Sequence, residues 1–578
     1  MSVVFLSSGP PTVHVERLRA VAAQHNVKVP PDEEEHYRHL LNGLDATAEQ
    51  IKSLPEYHDP RLVVDPETLP RNWSKSSTNP LNAWSHPADF KTSRPEDSRL
   101  AGRTVAFKDN VSIGGIPLTG GTFPELLTGQ SSYPIPEIDA IVVSRVLQSS
   151  GTVRGSANCE HFSMSPLSFT SATGPVQNPW LPSYTAGGSS SGCGALVAIS
   201  ALKAWRARHG LPPIDDALGD GVDMAVGGDQ GGSIRIPACY NGIYGLKPTH
   251  GLIPYTGIIS LFPLIDHTGP MTATLEDCAA LLGVLAGYDG IDPRCTPETP
   301  LRDRVPDYLG ELESWKAAKQ SKGEWTPTSA GAGLRIGVVK EAFEVMGLSA
   351  SVANVIRAAA EQFKATGATV EEVSIPEHLI GPSIWTIATR AGIGSYGLRN
   401  TPPPFFGHHL AHVSPPPLTQ AGFDTLNRHN PAVANMWFNA TLLLARPDCN
   451  QLVGKAMAHA AALRAAYDRA LDAGPFDVLL TPVNPRVGSR HPPLGAGVEA
   501  KMRPAIGATL NTCQFNVTGH PALSMPAGWA DVEDGGGRLP VGMQLVARRW
   551  DERSIFRAAA AWERGGLGLD RWDGSVPN

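Results

Sequence analysis

The sequence predicts an α/β fold, with a large mixed β-sheet flanked by helices and an α-helical extension at the N-terminus. Three observations lead there. Short apolar segments alternate repeatedly with helix-period segments, glycine stops separate them, and 42% of the 578 residues are hydrophobic against 18% charged, which suits a globular chain with a sizeable core.

At the N-terminus, residues 12–55 show two helical periods. Val15, Leu18, Val21 and Ala22 share one face, Tyr37, Leu40, Leu41 and Leu44 share another, and Pro30 and Pro31 separate the two helices. A stretch rich in Pro, Ser and Asn from Pro66 to Pro95 has neither strand alternation nor helical period and reads as a linker or wrapping segment. Residues 1–95 are therefore expected to form a helical extension with its linker, and residues 96–570 the main domain. In that domain RTVAFKDNV reads as a strand ending at Lys108, and IDAIVVSRVLQSSGTVRG as a helix, a turn and a strand start. The same punctuation recurs in GLRIGVVKEAF followed by SVANVIRAAAEQFKATGATVEEVSIP. FDVLLTPV and LPVGMQLVARRW supply further strands, and a last helix starts near Ser554. Two proline-rich pieces, 401–417 and 482–493, read as irregular loops.

Charge and cysteine usage narrow the class. Forty-eight basic against fifty-five acidic side chains give −7, with no basic stripe for a nucleic acid or an anionic membrane. No apolar run is long enough to span a bilayer, since the run around Ala195 is interrupted at Lys203. MSVVFLSSGPP lacks a basic leader and a signal core, and seven scattered cysteines without C-x-x-C fit a reduced setting, so a cytoplasmic protein is expected.

Two clusters carry the chemistry: TAGGSSSGCGALVAIS at 185–200 and VGGDQGGSIRIPA at 226–238. Alone, GGSSSG has the composition of a linker. In the second cluster, however, the small residues around Gln230, Gly231 and Gly232 can close backbone N–H groups around an anionic oxygen directly before the hydroxyl of Ser233. With AFKDN, YGLKPTHGLIPYTG and FNVTGHPALSMPAG, these clusters make five blocks in one order. In those blocks the chain resembles the amidase signature family across residues 100–565.

The resemblance implies a cofactor-free serine amidohydrolase in which Lys108 is the base, Ser189 the relay and Ser233 the nucleophile, with a cis peptide between Gly188 and Ser189. It implies an oxyanion hole of backbone N–H groups from Gln230, Gly231, Gly232 and Ser233. Ser190 then hydrogen-bonds within the site, and Asp229 with Arg235 forms an ion pair that shapes the oxyanion loop. One departure is the spacing: Ser189 and Ser233 are forty-four positions apart, wider than the family commonly has, and LKAWRARHGLPPIDDALGDG reads as a surface insertion after a helix. DQGGSIRIP and THGLIPYTG are more similar to the broad-specificity amidases and urethanases than to glutamine amidotransferase subunits. In that branch the N-terminal helices contribute to a homodimer, and the substrates are small linear amides and carbamates. Phe162 and the loop carrying Ile258 and Phe262 are placed in the substrate pocket by position.

Rival readings are weaker. Ser200 and Lys203 spell the S-x-x-K of a penicillin-recognising hydrolase, but its S-D-N and K-T-G companions are missing. Ser233 is followed by Ile-Arg rather than x-Gly, against an α/β-hydrolase. His408, His409 and His412 form a loop cluster without H-E-x-x-H, so no metal site is expected. Cys193 and Cys239 lack a partnering histidine, and Lys247 reads as a solvated or structural lysine. A scaffolding or binding subunit with the same fold would be signalled by loss of a triad residue, and all three are present.

Overall fold

The computed structural model describes residues 10–74, 78–214, 216–401, 407–473, 476–493, 495–566 and 568–570. The chain divides into two compact units, Met1–Pro60 and Arg61–Asn578.

In the first unit, helices Val15–Gln24 and Glu34–Lys52 pair as a hairpin. Leu18 and Ala22 are buried, as their spacing suggests, but Tyr37, Leu40 and Leu44 are exposed. Asn42 turns inward instead, because its Oδ1 accepts the backbone N–H groups of Thr12 at 3.0 Å and Val13 at 2.7 Å. A polar side chain that satisfies two otherwise unpaired donors thus sets the rotation of the helix in place of the apolar stripe.

The second unit is built on an 11-stranded sheet. Its strands are β1 (Trp84–Phe90), β2 (Thr104–Lys108), β3 (Thr152–Ala157), β4 (Met224–Asp229), β5 (Tyr244–Lys247), β6 (His267–Thr272), β7 (Arg335–Val339), β8 (Thr369–Val373), β9 (Val478–Pro482), β10 (Ala522–Asp531) and β11 (Arg538–Val546). They lie in the order β1-β3-β2-β4-β6-β5-β10-β11-β9-β7-β8. β3, β2 and β4 run parallel, as do β8, β7 and β9, while the remaining pairs are antiparallel. This is the mixed sheet flanked by helices that the sequence predicts.

Period-two alternation divides each central strand between two cores. Val105, Phe107, Met224 and Val226 point into one, shared with helices Ile141–Gln148, Leu275–Leu285 and Glu552–Arg564. Ala106 and Ala225 point into the other, against helix Ser191–Arg208. The small residues let that helix come close. Gly192 marks the limit, since a Cβ there would sit 2.3 Å from the Ala83 carbonyl oxygen. LKAWRAR therefore continues this helix rather than opening an insertion after it, and only the segment from His209 onward is irregular.

The stretch from Pro66 to Pro95 differs from its sequence reading. It contains β1, the edge strand, which pairs with β3. Trp84, His86, Ala88 and Phe90 do alternate inward, but a buried histidine and Pro87 hide the pattern. Proline is tolerated there because an edge strand has ladder donors to spare.

Gly155 of β3, at φ +103°, lies opposite Pro87, and a Cβ there would meet the His86 carbonyl oxygen at 2.1 Å. Gly155→Ala is expected to destabilise the protein by about 2 to 4 kcal/mol in urea denaturation. Unchanged stability would show that β1 does not pair there.

Candidate active site

The parallel strands β3, β2 and β4 end side by side, and their carboxyl ends carry Asn158–Glu160, Lys108–Asn110 and Asp229–Ser233. In open α/β sheets this edge is where ligands bind. Lys108 is the last residue of a buried strand and is itself fully buried. Its Nζ donates to Ser189 Oγ at 2.8 Å and lies 3.5 Å from the Gly228 carbonyl oxygen. Among the described residues no carboxylate forms an ion pair with it.

Burial lowers the Lys108 pKa from its ordinary value, although the acidic groups of Cys159, Cys193, Asp229 and Glu160 pull the other way. Two nearby carboxyls are themselves disfavoured in their charged form by burial. Burial pushes Glu160 up to about 7 against hydrogen bonds from Thr170 and Ser191, and pushes Asp109 up to about 7 against hydrogen bonds from Ser85 and Thr119. Desolvation therefore favours the neutral amine.

Ser189 follows a cis peptide from Gly188 and is fully buried. Its carbonyl oxygen accepts the Glu160 N–H at 3.3 Å, and the Gly188 N–H donates to the Pro166 carbonyl oxygen at 2.9 Å. Ser190 links this loop to the next: its N–H donates to the Ser233 carbonyl oxygen at 3.2 Å, and its hydroxyl donates to the Gly228 carbonyl at 3.1 Å. The Glu160 carboxyl accepts from the Ser191 hydroxyl at 2.7 Å beneath the serine run. Ser233 is partly exposed between buried neighbours. The structure thus joins Lys108 to Ser189 directly and joins Ser233 to the cluster through its backbone. No hydrogen bond runs between the Ser189 and Ser233 hydroxyls.

The loop that carries Ser233 is held at every carbonyl. Asn516 Nδ2 donates to the Asp229 carbonyl oxygen at 2.9 Å, Trp385 Nε1 to that of Gln230 at 2.9 Å, and the Thr512 hydroxyl to that of Gly231 at 2.6 Å. The Ile236 N–H takes the Gly232 oxygen at 2.7 Å, and Ser190 takes that of Ser233. Asp229 and Arg235, both fully buried, form a two-armed ion pair at 2.9 Å per arm. Burial opposes ionisation of Asp229, but Arg235 and Asn516 outweigh it and hold the carboxyl well below the usual carboxylate range.

The Asp229 carboxylate also accepts the Gly232 N–H at 2.7 Å and the Ile234 N–H at 3.1 Å. Gly232, expected among the oxyanion donors, is therefore already committed. Among the described residues the N–H groups of Gln230, Gly231 and Ser233 have no protein acceptor. Gly232 cannot be replaced easily, since at φ +140° a Cβ would sit 2.6 Å from the Thr512 hydroxyl.

Of the three pocket residues expected from position, Phe162 and Ile258 line different cavities. Phe162 is buried on the wall of a cavity of about 430 Å³ with Phe123, Leu126, Leu398, Pro416 and Trp437. Ile258 faces a separate pocket of about 50 Å³ beside Arg294, and Phe262 packs on Tyr396 with ring centroids 5.8 Å apart. Trp385, Thr512 and Asn516, which hold the loop leading to Ser233, have no signal in the sequence beyond Asn516's place in FNVTGHPALSMPAG.

Lys247 is structural rather than solvated. It is fully buried, its Nζ donates to the Pro248 carbonyl oxygen at 3.0 Å, and burial with the Arg235 charge pushes its pKa well down. Cys193 and Cys239 are buried and pushed up to about 12, the opposite of an activated thiol. Lys203 is exposed on its helix, which leaves the S-x-x-K pair without a buried base. Among the described residues no group of three or more His, Cys, Asp or Glu could hold a metal ion, and no helix is long and apolar enough to cross a membrane.

Comparison with known proteins follows the same geometry. The family model described as Amidase matches residues 76–204 and 219–556. The chain is 36% identical over 509 residues to an enantioselective amidase of Rhodococcus rhodochrous, covering 86% of each chain. It is 29% identical over 542 residues to a glutamyl-tRNA(Gln) amidotransferase subunit of Cupriavidus pinatubonensis, covering 90% of this chain and 97% of that one. Its fold is similar to that of the native peptide amidase from Stenotrophomonas maltophilia, with a TM-score of 0.58 at 24% identity, over 83% of this chain and 86% of that one. With the match spanning most of its length, the chain belongs to the amidase signature family of C–N hydrolases.

Proposed function

We propose that the chain is a serine amidohydrolase that cleaves small linear amides, aliphatic, aromatic or anilide, through an acyl-enzyme on Ser233, with carbamates such as ethyl carbamate as a second substrate class. The observation that carries this reading is the capture of all five carbonyls from Asp229 to Ser233 by groups behind the loop. We read the uncommitted N–H groups of Gln230, Gly231 and Ser233 as the oxyanion donors, a reading that the fixing of the loop's carbonyls supports. Each such donor contributes about 3 to 4 kcal/mol to acyl transfer.

The proton path follows from the lysine. A serine hydroxyl attacks an amide only if a base removes its proton. Neutral Lys108 accepts a proton from Ser189, which in turn takes one from Ser233. The hydroxyl of Ser233 then adds to the substrate carbonyl, and the tetrahedral oxygen is held by the loop N–H groups. An amine cannot leave as an anion, so the proton returns from Lys108 through Ser189 to the departing nitrogen. Water repeats the sequence on the acyl-enzyme and releases the acid. The mechanism uses these side chains, the loop N–H groups and water. Kinship with an enantioselective amidase supports the C–N bond as the target.

Ser233→Ala should abolish hydrolysis in a screen of short-chain and aromatic amides, anilides and ethyl carbamate, with unfolding unchanged. A serine-directed fluorophosphonate should label Ser233 in the wild type, and label at Ser200 instead would displace it as nucleophile. Lys108→Ala should depress amide hydrolysis more than ester hydrolysis of the same acyl group, since an alkoxide or phenoxide needs the returned proton less.

The pH profile gives the sign for the same residue. Activity requires the unprotonated amine, so turnover should fall as pH drops through the lowered Lys108 pKa and should have its optimum above neutrality. Equal losses on amide and ester, with the acid limb unchanged in Lys108→Ala, would mean that the base lies elsewhere.

A further inference from the structure

Gln230 is gripped twice. Its carbonyl oxygen takes the Trp385 indole N–H, and its side-chain Nε2 donates to the Tyr255 hydroxyl at 2.8 Å. Tyr255 is 2% exposed and lies in the turn after β5, away in sequence from both serines. Its hydroxyl donates to the Ile259 carbonyl oxygen at 3.3 Å, the oxygen that Asn110 Nδ2 approaches at 3.5 Å. Asn110 stands two residues beyond Lys108. A Cβ on Gly228 would lie 3.6 Å from Lys108 Nζ and 3.7 Å from Asn110 Nδ2, so both side chains flank the same point of β4.

The phenol itself cannot drift. The Arg294 guanidinium lies over its ring, 4.9 Å from the centroid, and is anchored to Asp266 at 2.8 Å and Asp292 at 2.9 Å. Asp292 also accepts the Tyr255 N–H at 2.6 Å. A ring held on its face and at its backbone makes its hydroxyl a fixed point. That point joins the loop after β4, which carries the oxyanion donors, to the segment after β2, which carries the base.

We propose that Tyr255 is a positioning residue for the reaction, fixing through Gln230 the direction of the oxyanion N–H groups relative to Lys108. The proposal rests on the amidohydrolase reading above. Tyr255 touches neither substrate nor reacting atoms. Its effect is the orientation of the peptide planes on either side of Gln230, and misplacement by a fraction of an ångström weakens contacts that exist only in the transition state.

The test compares wild type, Tyr255→Phe, Gln230→Met and the double variant. Each is assayed for fluorophosphonate labelling of Ser233, for kcat and KM on benzamide, and for thermal unfolding. Both single substitutions keep shape and remove the Gln230–Tyr255 hydrogen bond, and Tyr255→Phe also removes the bond to the Ile259 carbonyl oxygen. Each should slow labelling and lower kcat by about 10- to 100-fold, a share of the 100- to 1,000-fold lost with a whole oxyanion donor. KM should stay within twofold, because an interaction made only in the transition state lowers kcat and kcat/KM together. The double variant should be no worse than the poorer single one, because both remove the same bond.

A Tyr255→Phe enzyme that keeps wild-type kcat, a raised KM with kcat unchanged, or multiplied losses in the double variant would each overturn the role. If the wild type itself fails to label at Ser233, the nucleophile assignment falls and this role falls with it. If the wild type labels and Tyr255→Phe labels equally fast, only the role of Tyr255 falls.

Discussion

The buried Asp229–Arg235 pair is the constraint on which the rest of the site depends. Two unit charges removed from water are tolerated only when each has its full complement of hydrogen bonds. Asp229 takes Arg235, Asn516, Gly232 and Ile234, while Arg235 reaches on to Thr512, Gln544 and Asn516. Satisfying the carboxylate folds the loop from 229 to 235 back on itself. The helix Arg235–Asn241 begins where the curl ends. The ion pair thereby decides which N–H groups of the loop are already committed.

Around the lysine the logic is reversed. Asp229 is surrounded by donors, whereas Lys108 has a hydroxyl and a carbonyl and no ion-pair partner among the described residues. One buried charge is stabilised and the other is discouraged within a few residues of sheet. Both pKa values are pushed down, which favours the charged form of Asp229 and disfavours that of Lys108.

How much is legible in the sequence follows from how each residue acts. Lys108, Ser189, Asp229, Ser233 and Arg235 act through their own functional groups within short contiguous strings, so residue type and order point to them. Trp385 and Thr512 act by giving one hydrogen bond to a backbone carbonyl 155 and 281 positions away, a task many side chains can do and one that leaves no local pattern. β2, β3, β7, β8, β9 and β11 are readable because apolar alternation and glycine stops are local. β1 is not, because its inward register includes His86. The face of helix Glu34–Lys52 is hidden for a similar reason, since Asn42 outcompetes leucines for the inward position by satisfying backbone donors.

Helix Ser191–Arg208 starts two residues after Ser189 and runs for 18 residues, about 27 Å at 1.5 Å per residue. The widened gap between the two serines is therefore taken up at the far end of a rigid rod, and the chain returns through β4, whose position is set by its ladder with β2 and β6. Number of residues and distance in space are uncoupled here. The stretch 209–214 is consequently a permissive site, where evolution or an engineer could lengthen the polypeptide or graft a foreign peptide without the reaction centre registering the change.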